Sequence, residues 1–358
     1  DASNTTAQVL KQGEVQGSDV AAHSAGVLDI KTTILPDADA LFLTAIDRYG
    51  HELWRWTFPV NKLNQANEVL SPLSNKVTST ETENELTVKA KNHTFIFSKK
   101  DGQLKGVSVN NRKISFANGP RFIGARRADR SLDQFYNHDD EKAKEKDRTY
   151  SEFPDAAVFT KLDVKEDGGN LIVTADYKLG NLDKVQWTIN PNGEAVLDYT
   201  YNFSGVVDLM GICFDYPEDQ VISKRWLGAG PYRVWQNRIH GTQYDVWEND
   251  YNDPIPGETF TYPEFKGYFG SVSWMNIRTK EGTISLTNET PDAYIGVYQP
   301  RDGRDRLLYT LPESGISVLN VIPPVRNKVN STDLCGPSSQ PKWVNGPQSG
   351  RIIFRFME

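Results

Sequence analysis

The sequence predicts an all-β chain, most of it a large antiparallel sandwich of two sheets, with a smaller β segment in front. Three observations predict it. Turn-forming residues are dense, with 27 glycines and 19 prolines in 358 residues, more than a helical bundle tolerates. Aromatic residues reach 11%, including eight tryptophans and fifteen tyrosines, and bulky rings favour pleated surfaces. From residue 77 onward, short alternating runs are separated by dipeptides that accept tight hairpin geometry.

Taken in order, residues 24–60 read as short strands: GVLDIKTTIL, then ALFLTAID, then HELWRWTFPV. Period-two alternation puts Leu41, Leu43 and Ala45 on one face. Three or four strands are too few to close an independent sandwich, so residues 1–60 read as a half-domain. The polar stretch 61–76 reads as a linker. Residues 77–358 then carry ELTVKAKN, HTFIFSKK, LKGVSVNN, LIVTADYKL, VQWTINPN, AVLDYTYNF and GTISLTNE. Between such runs fall Asp101-Gly102, Asn110-Asn111, Gly168-Gly169, Asn192-Gly193 and Asp302-Gly303, which accept the positive φ of hairpin turns. At least ten antiparallel strands fit. Leu197, Tyr199, Tyr201 and Phe203 alternate with Asp198, Thr200 and Asn202, one buried and one wet face of a single strand. The charged run DDEKAKEKDR at 139–148 cannot bury a face and reads as a solvated loop or surface helix.

Charge and composition exclude several function classes. Forty basic against 47 acidic residues give a net charge of −7, with no basic tract to grip a nucleic acid. No window approaches the roughly eighteen apolar residues of a membrane span, and the start DASNTTAQVL is neither a signal peptide nor an initiator-Met start, so a processed piece of something longer is expected. Cys213 and Cys335 read as separate thiols, without zinc or disulfide spacing. Five histidines (His23, His51, His93, His138, His240) show no metal-ligand spacing, and no cofactor or metal site is expected.

The most unusual stretch is 225–251, RWLGAGPYRVWQNRIHGTQYDVWENDY. Rings beside Arg, Asn and Asp suit a sugar surface, where C–H faces stack and hydroxyls take directional bonds. Trp226 and Trp247 read equally well as core. Gly228-Ala229-Gly230-Pro231 is a tight turn after a strand; as a phosphate cradle it would lack the donor that Pro231 deletes. Asp245, Glu248, Asp250 and Asp253 form an oxygen-rich run open to calcium or to a carboxylate pair, but more simply an acidic loop.

WLGAGPYRVWQNR resembles the signature W-x-G-x-G-P-x-x-x-Y-x-D-R in the C-terminal sandwich of family 2 glycoside hydrolases of the β-galactosidase kind. Trp226, Gly228, Gly230, Pro231 and Arg238 match, while Trp235 and Asn237 replace the family Tyr and Asp. YPEFKGYFGSVSW at 262–274 looks like a contracted form of another family segment, whereas ARRADRSLDQFYN at 125–137 departs from a third. The resemblance implies a galactose-mutarotase-like supersandwich preceded by the closing strands of an immunoglobulin-like domain. It also implies that catalysis belongs to an upstream (β/α)8 barrel and that this region lends an aromatic to the sugar site, with Trp343 as the nearest positional match.

The expected function is therefore a non-catalytic C-terminal region of a β-galactosidase-like hydrolase. Its partners would be carbohydrate, bound through Trp235, Arg238, His240 and Trp343, and the barrel of the same protein. The competing readings are a free-standing mutarotase-like epimerase using His240 or His138 with a nearby Glu, and a purely structural β module. Homo-oligomerisation is left open, and a periplasmic or extracellular location is expected.

Overall fold

The computed structural model describes residues 8–60, 76–127, 150–251, 267–297, 312, 314–324 and 336–358. A hairpin of β1 (Ala40–Ile46) and β2 (Glu52–Pro59) stands in front. One sheet of the body has ten strands: β3 (Thr78–Glu81), β4 (Glu85–Ala90), β5 (His93–Ser98), β6 (Leu104–Val109), β7 (Arg112–Ile114), β8 (Ala117–Arg127), β9 (Tyr150–Glu152), β14 (Leu209–Asp215), β19 (Tyr294–Gly296) and β20 (Ile316–Val321). The other has nine: β10 (Val158–Asp167), β11 (Asn170–Lys178), β12 (Leu182–Ile189), β13 (Ala195–Val207), β15 (Val221–Gly230), β16 (Gln243–Asp250), β17 (Trp274–Thr279), β18 (Gly282–Asn288) and β21 (Lys342–Met357). The order in the nine-stranded sheet is β10-β11-β12-β13-β21-β18-β17-β15-β16. Neighbouring strands run antiparallel in both sheets. Among the described residues the helical pieces are single 3-10 turns such as Glu218–Gln220, and no helix is long and apolar enough to cross a membrane.

Local chemistry sets the hairpins. Asn110 and Asn111 both adopt positive φ between β6 and β7, as do Gly168 and Gly169 between β10 and β11. Those conformations match the twist of the flanking strands. Gly102 and Gly193 also take positive φ, whereas Asp302-Gly303 lies outside the described residues. In β13, Leu197, Tyr199 and Tyr201 are buried while Asn202 is exposed, the alternation of a strand with one wet face.

The inner faces of the sheets close over aromatic rings. Trp187 of β12 meets Phe97 of β5 at 6.2 Å and Phe214 of β14 at 6.1 Å, and Phe116 meets Phe354 of β21 at 5.1 Å. Each such ring removes roughly 150–250 Å² from water. Truncating Trp187 to alanine should cost about 3–5 kcal/mol.

The front segment is smaller than expected. Residues 26–35 form no strand, and Val27 is 88% exposed; among the described residues no second strand lies alongside to take the backbone hydrogen bonds of this stretch. Among the described residues of this segment only β1 and β2 pair, with Leu41 opposite Phe58, Leu43 opposite Trp56 and Ala45 opposite Trp54. The expected linker and the charged run at 139–148 lie outside the described residues, apart from Lys76 at the linker's end.

Candidate functional site

β15 runs into the aromatic segment at Gly230, where any larger residue would drive a Cβ into the Trp247 indole. Trp226 and Trp247 are opposite each other on β15 and β16 and both are buried. The Trp226 Nε1–H donates to the Ala229 carbonyl at 3.0 Å, and the Trp247 Nε1–H to that of Gln243 at 3.1 Å. These two tryptophans are core.

Trp235 departs from the expectation of an open indole. It is 1% exposed and packs edge-on against Tyr268, ring centres 5.7 Å apart, within a small cluster that includes Val234, Leu319 and Ile322. A tight turn encloses it, the Arg238 amide donating to the Trp235 carbonyl at 2.8 Å. Its face is sealed against a saccharide. Arg238 and His240, which follow, are exposed.

The start of β21 carries the fourth predicted residue. Trp343 is 71% exposed, opposite Val206 on β13. The Gln236 amide joins the two stretches, donating to the carbonyls of Ser338 at 3.0 Å and Gln340 at 2.7 Å. The sequence-predicted segments therefore meet, but of their two candidate indoles only that of Trp343 is open.

The acidic run is not a cage. Asp245 and Glu248 are three residues apart on β16 and so face opposite ways. Asp245 is buried, accepts from Arg55 of β2 at 3.4 Å, and has its carboxyl pushed above the ordinary range by that burial. Asp253 and His138 lie outside the described residues, and no group of three His, Cys, Asp or Glu among the described residues could hold a metal ion. His240 is exposed.

One feature was absent from the sequence reading. A groove of about 410 Å³ opens on the outward face of β12, β13 and β21, roofed by residues 289–291. Arg351 bridges two carboxylates, Nη1 to Asp198 Oδ1 at 3.3 Å and Nε to Glu289 Oε2 at 3.1 Å. Lys184 and Gln186 complete one wall. The signal was the wet face of β13, whose partners on β21 and in the 289–291 loop are distant in sequence.

A family model described as the β-galactosidase small chain matches residues 89–322, well over half of the chain. The chain belongs to the β-galactosidase small-chain family. The match spans the described body from β4 to the end of β20 and includes the Gly-Pro turn after β15. No curated protein matches this chain. Among solved structures it is similar to galactose 1-epimerase from Lactobacillus acidophilus NCFM, at 11% identity over 80% of this chain and 99% of that one, with a TM-score of 0.43. It is also similar to a GalM/aldose epimerase homologue from C. elegans, at 9% identity over 78% and 99%, with a TM-score of 0.38. At those scores neither likeness assigns a role to any residue of the module.

Proposed function

We propose that this chain is a non-catalytic accessory module of a larger family 2 glycosidase, bracing a catalytic barrel elsewhere in the parent protein and presenting Trp343 to saccharide. The observation that carries the reading is an exposed indole, 71% open, at the start of the C-terminal strand of a β-galactosidase small-chain module. An exposed tryptophan costs solvation, and a sugar C–H face is one way to recover it. Gln236, which precedes Arg238 and His240 in the chain, is hydrogen-bonded to Ser338 and Gln340, the stretch that leads into Trp343.

The test uses the chain as it stands, incubated with nitrophenyl β-glycosides and, separately, titrated with lactose while tryptophan fluorescence is followed. No turnover is expected, together with a saturable quench that weakens about 3–10-fold in Trp343→Ala. Turnover at the level of a complete hydrolase would overturn the non-catalytic reading. A quench unaffected by Trp343→Ala would remove the stacking role.

A further inference from the structure

Glycine follows asparagine at Asn118-Gly119, Asn192-Gly193 and Asn345-Gly346, and at the first and last of these a proline comes next. A glycine nitrogen, with no side chain beside it, is the least hindered nucleophile a chain offers to the carboxamide of the preceding asparagine. The pairs therefore start with similar intrinsic chemistry, and the fold separates them.

Two are enclosed. Gly119 is buried, and a Cβ there would overlap the Phe214 ring and the Cys213 carbonyl. The Asn118 carboxamide is held at both ends, Nδ2 donating to Asp215 Oδ2 at 2.7 Å and Oδ1 accepting from Lys105 at 3.4 Å. Gly193 is also buried, against the His93 imidazole, and its N–H donates to the Asn190 carbonyl at 3.0 Å.

The third pair lies on a ribbon. β12 pairs with β13 only as far as Tyr201, and β18 pairs with β21 only from Ile352 onward, so residues 202–207 and 342–347 have only each other as strand neighbours among the described residues. A two-stranded ribbon opens locally more easily than the body of a sheet. Ser204 and Asn345 stand opposite each other on it, both exposed, and a Cβ at Gly346 would meet nothing within 4 Å. The Ser204 hydroxyl donates to Asn345 Oδ1 at 2.9 Å and accepts from the Gly346 N–H at 3.4 Å. One hydroxyl thus touches both groups that must react, and it can take a proton from one while giving its own to the other.

We propose that Asn345 is a site of spontaneous deamidation, with Ser204 as the proton relay. The Gly346 nitrogen bonds to Asn345 Cγ while its proton passes through the Ser204 hydroxyl to Oδ1. The Cγ–Nδ2 bond then breaks, and Nδ2 leaves as ammonia with that proton as the Cγ carbonyl re-forms. Water opens the resulting cyclic imide at either carbonyl, which leaves an aspartyl or an isoaspartyl residue at position 345. Either product puts a carboxylate two residues from Trp343, and the isoaspartyl one also lengthens the backbone of β21 there. The proposal does not depend on what Trp343 binds.

The test ages the full chain at neutral pH, folded and in urea, and follows all three positions by peptide mapping with isoaspartate-specific methylation. In the folded chain position 345 should convert at least about ten-fold faster than positions 118 and 192, whereas in urea positions 118 and 345, which share the sequence Asn-Gly-Pro, should convert at similar rates. Ser204→Ala should slow conversion at position 345 at least about three-fold, and Ser204→Thr, which keeps the hydroxyl, should restore it. Comparable rates at the three positions in the folded chain, a gap between 118 and 345 that persists in urea, or a rate at 345 unchanged or raised in Ser204→Ala overturns the proposal.

Discussion

His93, the first residue of β5, points into the core, and its Nε2–H donates to the Phe356 carbonyl of β21 at 2.8 Å. The ring stacks beside Phe95, and Gly193 covers its other nitrogen so closely that a Cβ there would overlap the imidazole. Burial, the largest cause, holds the His93 pKa below its ordinary value near 6.5. The unfolded chain therefore binds the proton first, and stability rises with pH wherever that difference exists. The contribution is complete above about pH 6.5 and is lost as pH falls through that value toward the folded pKa. Urea midpoints between pH 7.5 and 5.5 should drop in the native sequence and drop less in His93→Asn; parallel slopes would remove His93 as the cause. Cys213 of β14 makes a second residue-scale case. Its thiol is buried and is pushed by that burial up to about 11, although Arg121 Nη2 lies 3.8 Å away. At pH 8 roughly one such thiol in a thousand is ionised. Iodoacetamide followed by peptide mapping should leave Cys213 unmodified in the folded chain and label it in urea, whereas labelling of the native protein would contradict the enclosed position.

At the scale of elements, the hairpin β1–β2 is tethered to the body by few groups. The Arg55 guanidinium reaches the buried Asp245 of β16 and lies over the Phe42 ring, 4.7 Å from its centre. The opposite face, with Trp54, Trp56 and Phe58, is largely exposed. Removing Arg55 leaves a buried carboxylate without its cation, which favours either protonation or release of the hairpin. Limited proteolysis of Arg55→Ala should therefore cut within 40–59 sooner than in the native sequence, with little change in cleavage of β10–β13; equal rates would show that the ion pair does not hold the hairpin. The same two strands show what sequence can reveal at this scale. Their period-two pattern put Leu41, Leu43 and Ala45 on one face, and turn dipeptides placed the hairpins after β6 and β10, because both signals are local. The absence of a strand at 26–35 was not legible, since alternation specifies a strand only where a neighbour supplies hydrogen bonds. Trp235 misled for a related reason: its polar sequence neighbours suggested a surface, but Tyr268, Leu319 and Ile322, all remote in the chain, enclose it.

At the scale of the molecule, the position of β21 governs how the chain must assemble. This C-terminal strand lies inside the nine-stranded sheet, paired along one edge with β13 from Ala195↔Phe354 to Val207↔Lys342 and along the other with β18. Phe354 and Phe356 from the same strand occupy the aromatic core against Phe116. No local pattern in RIIFRF announces that placement, because a strand's neighbours are fixed by closure of the whole sheet. Both halves of the nine-stranded sheet stay open until β21 arrives, and such non-local pairing makes folding slow. A chain ending at 341 would expose the edges of β13 and β18 and lose those two rings, several kcal/mol at about 3–5 kcal/mol per large aromatic. Among the described residues, a chain beginning at 77 would lose the hairpin with its ion pair to Asp245 and the exposed Lys76–Glu166 pair. The first truncation should show no cooperative thermal transition and should aggregate, while the second should keep a single transition within several degrees of the full chain. A cooperative transition in the chain ending at 341 would mean that β13 and β18 can close the sheet without β21.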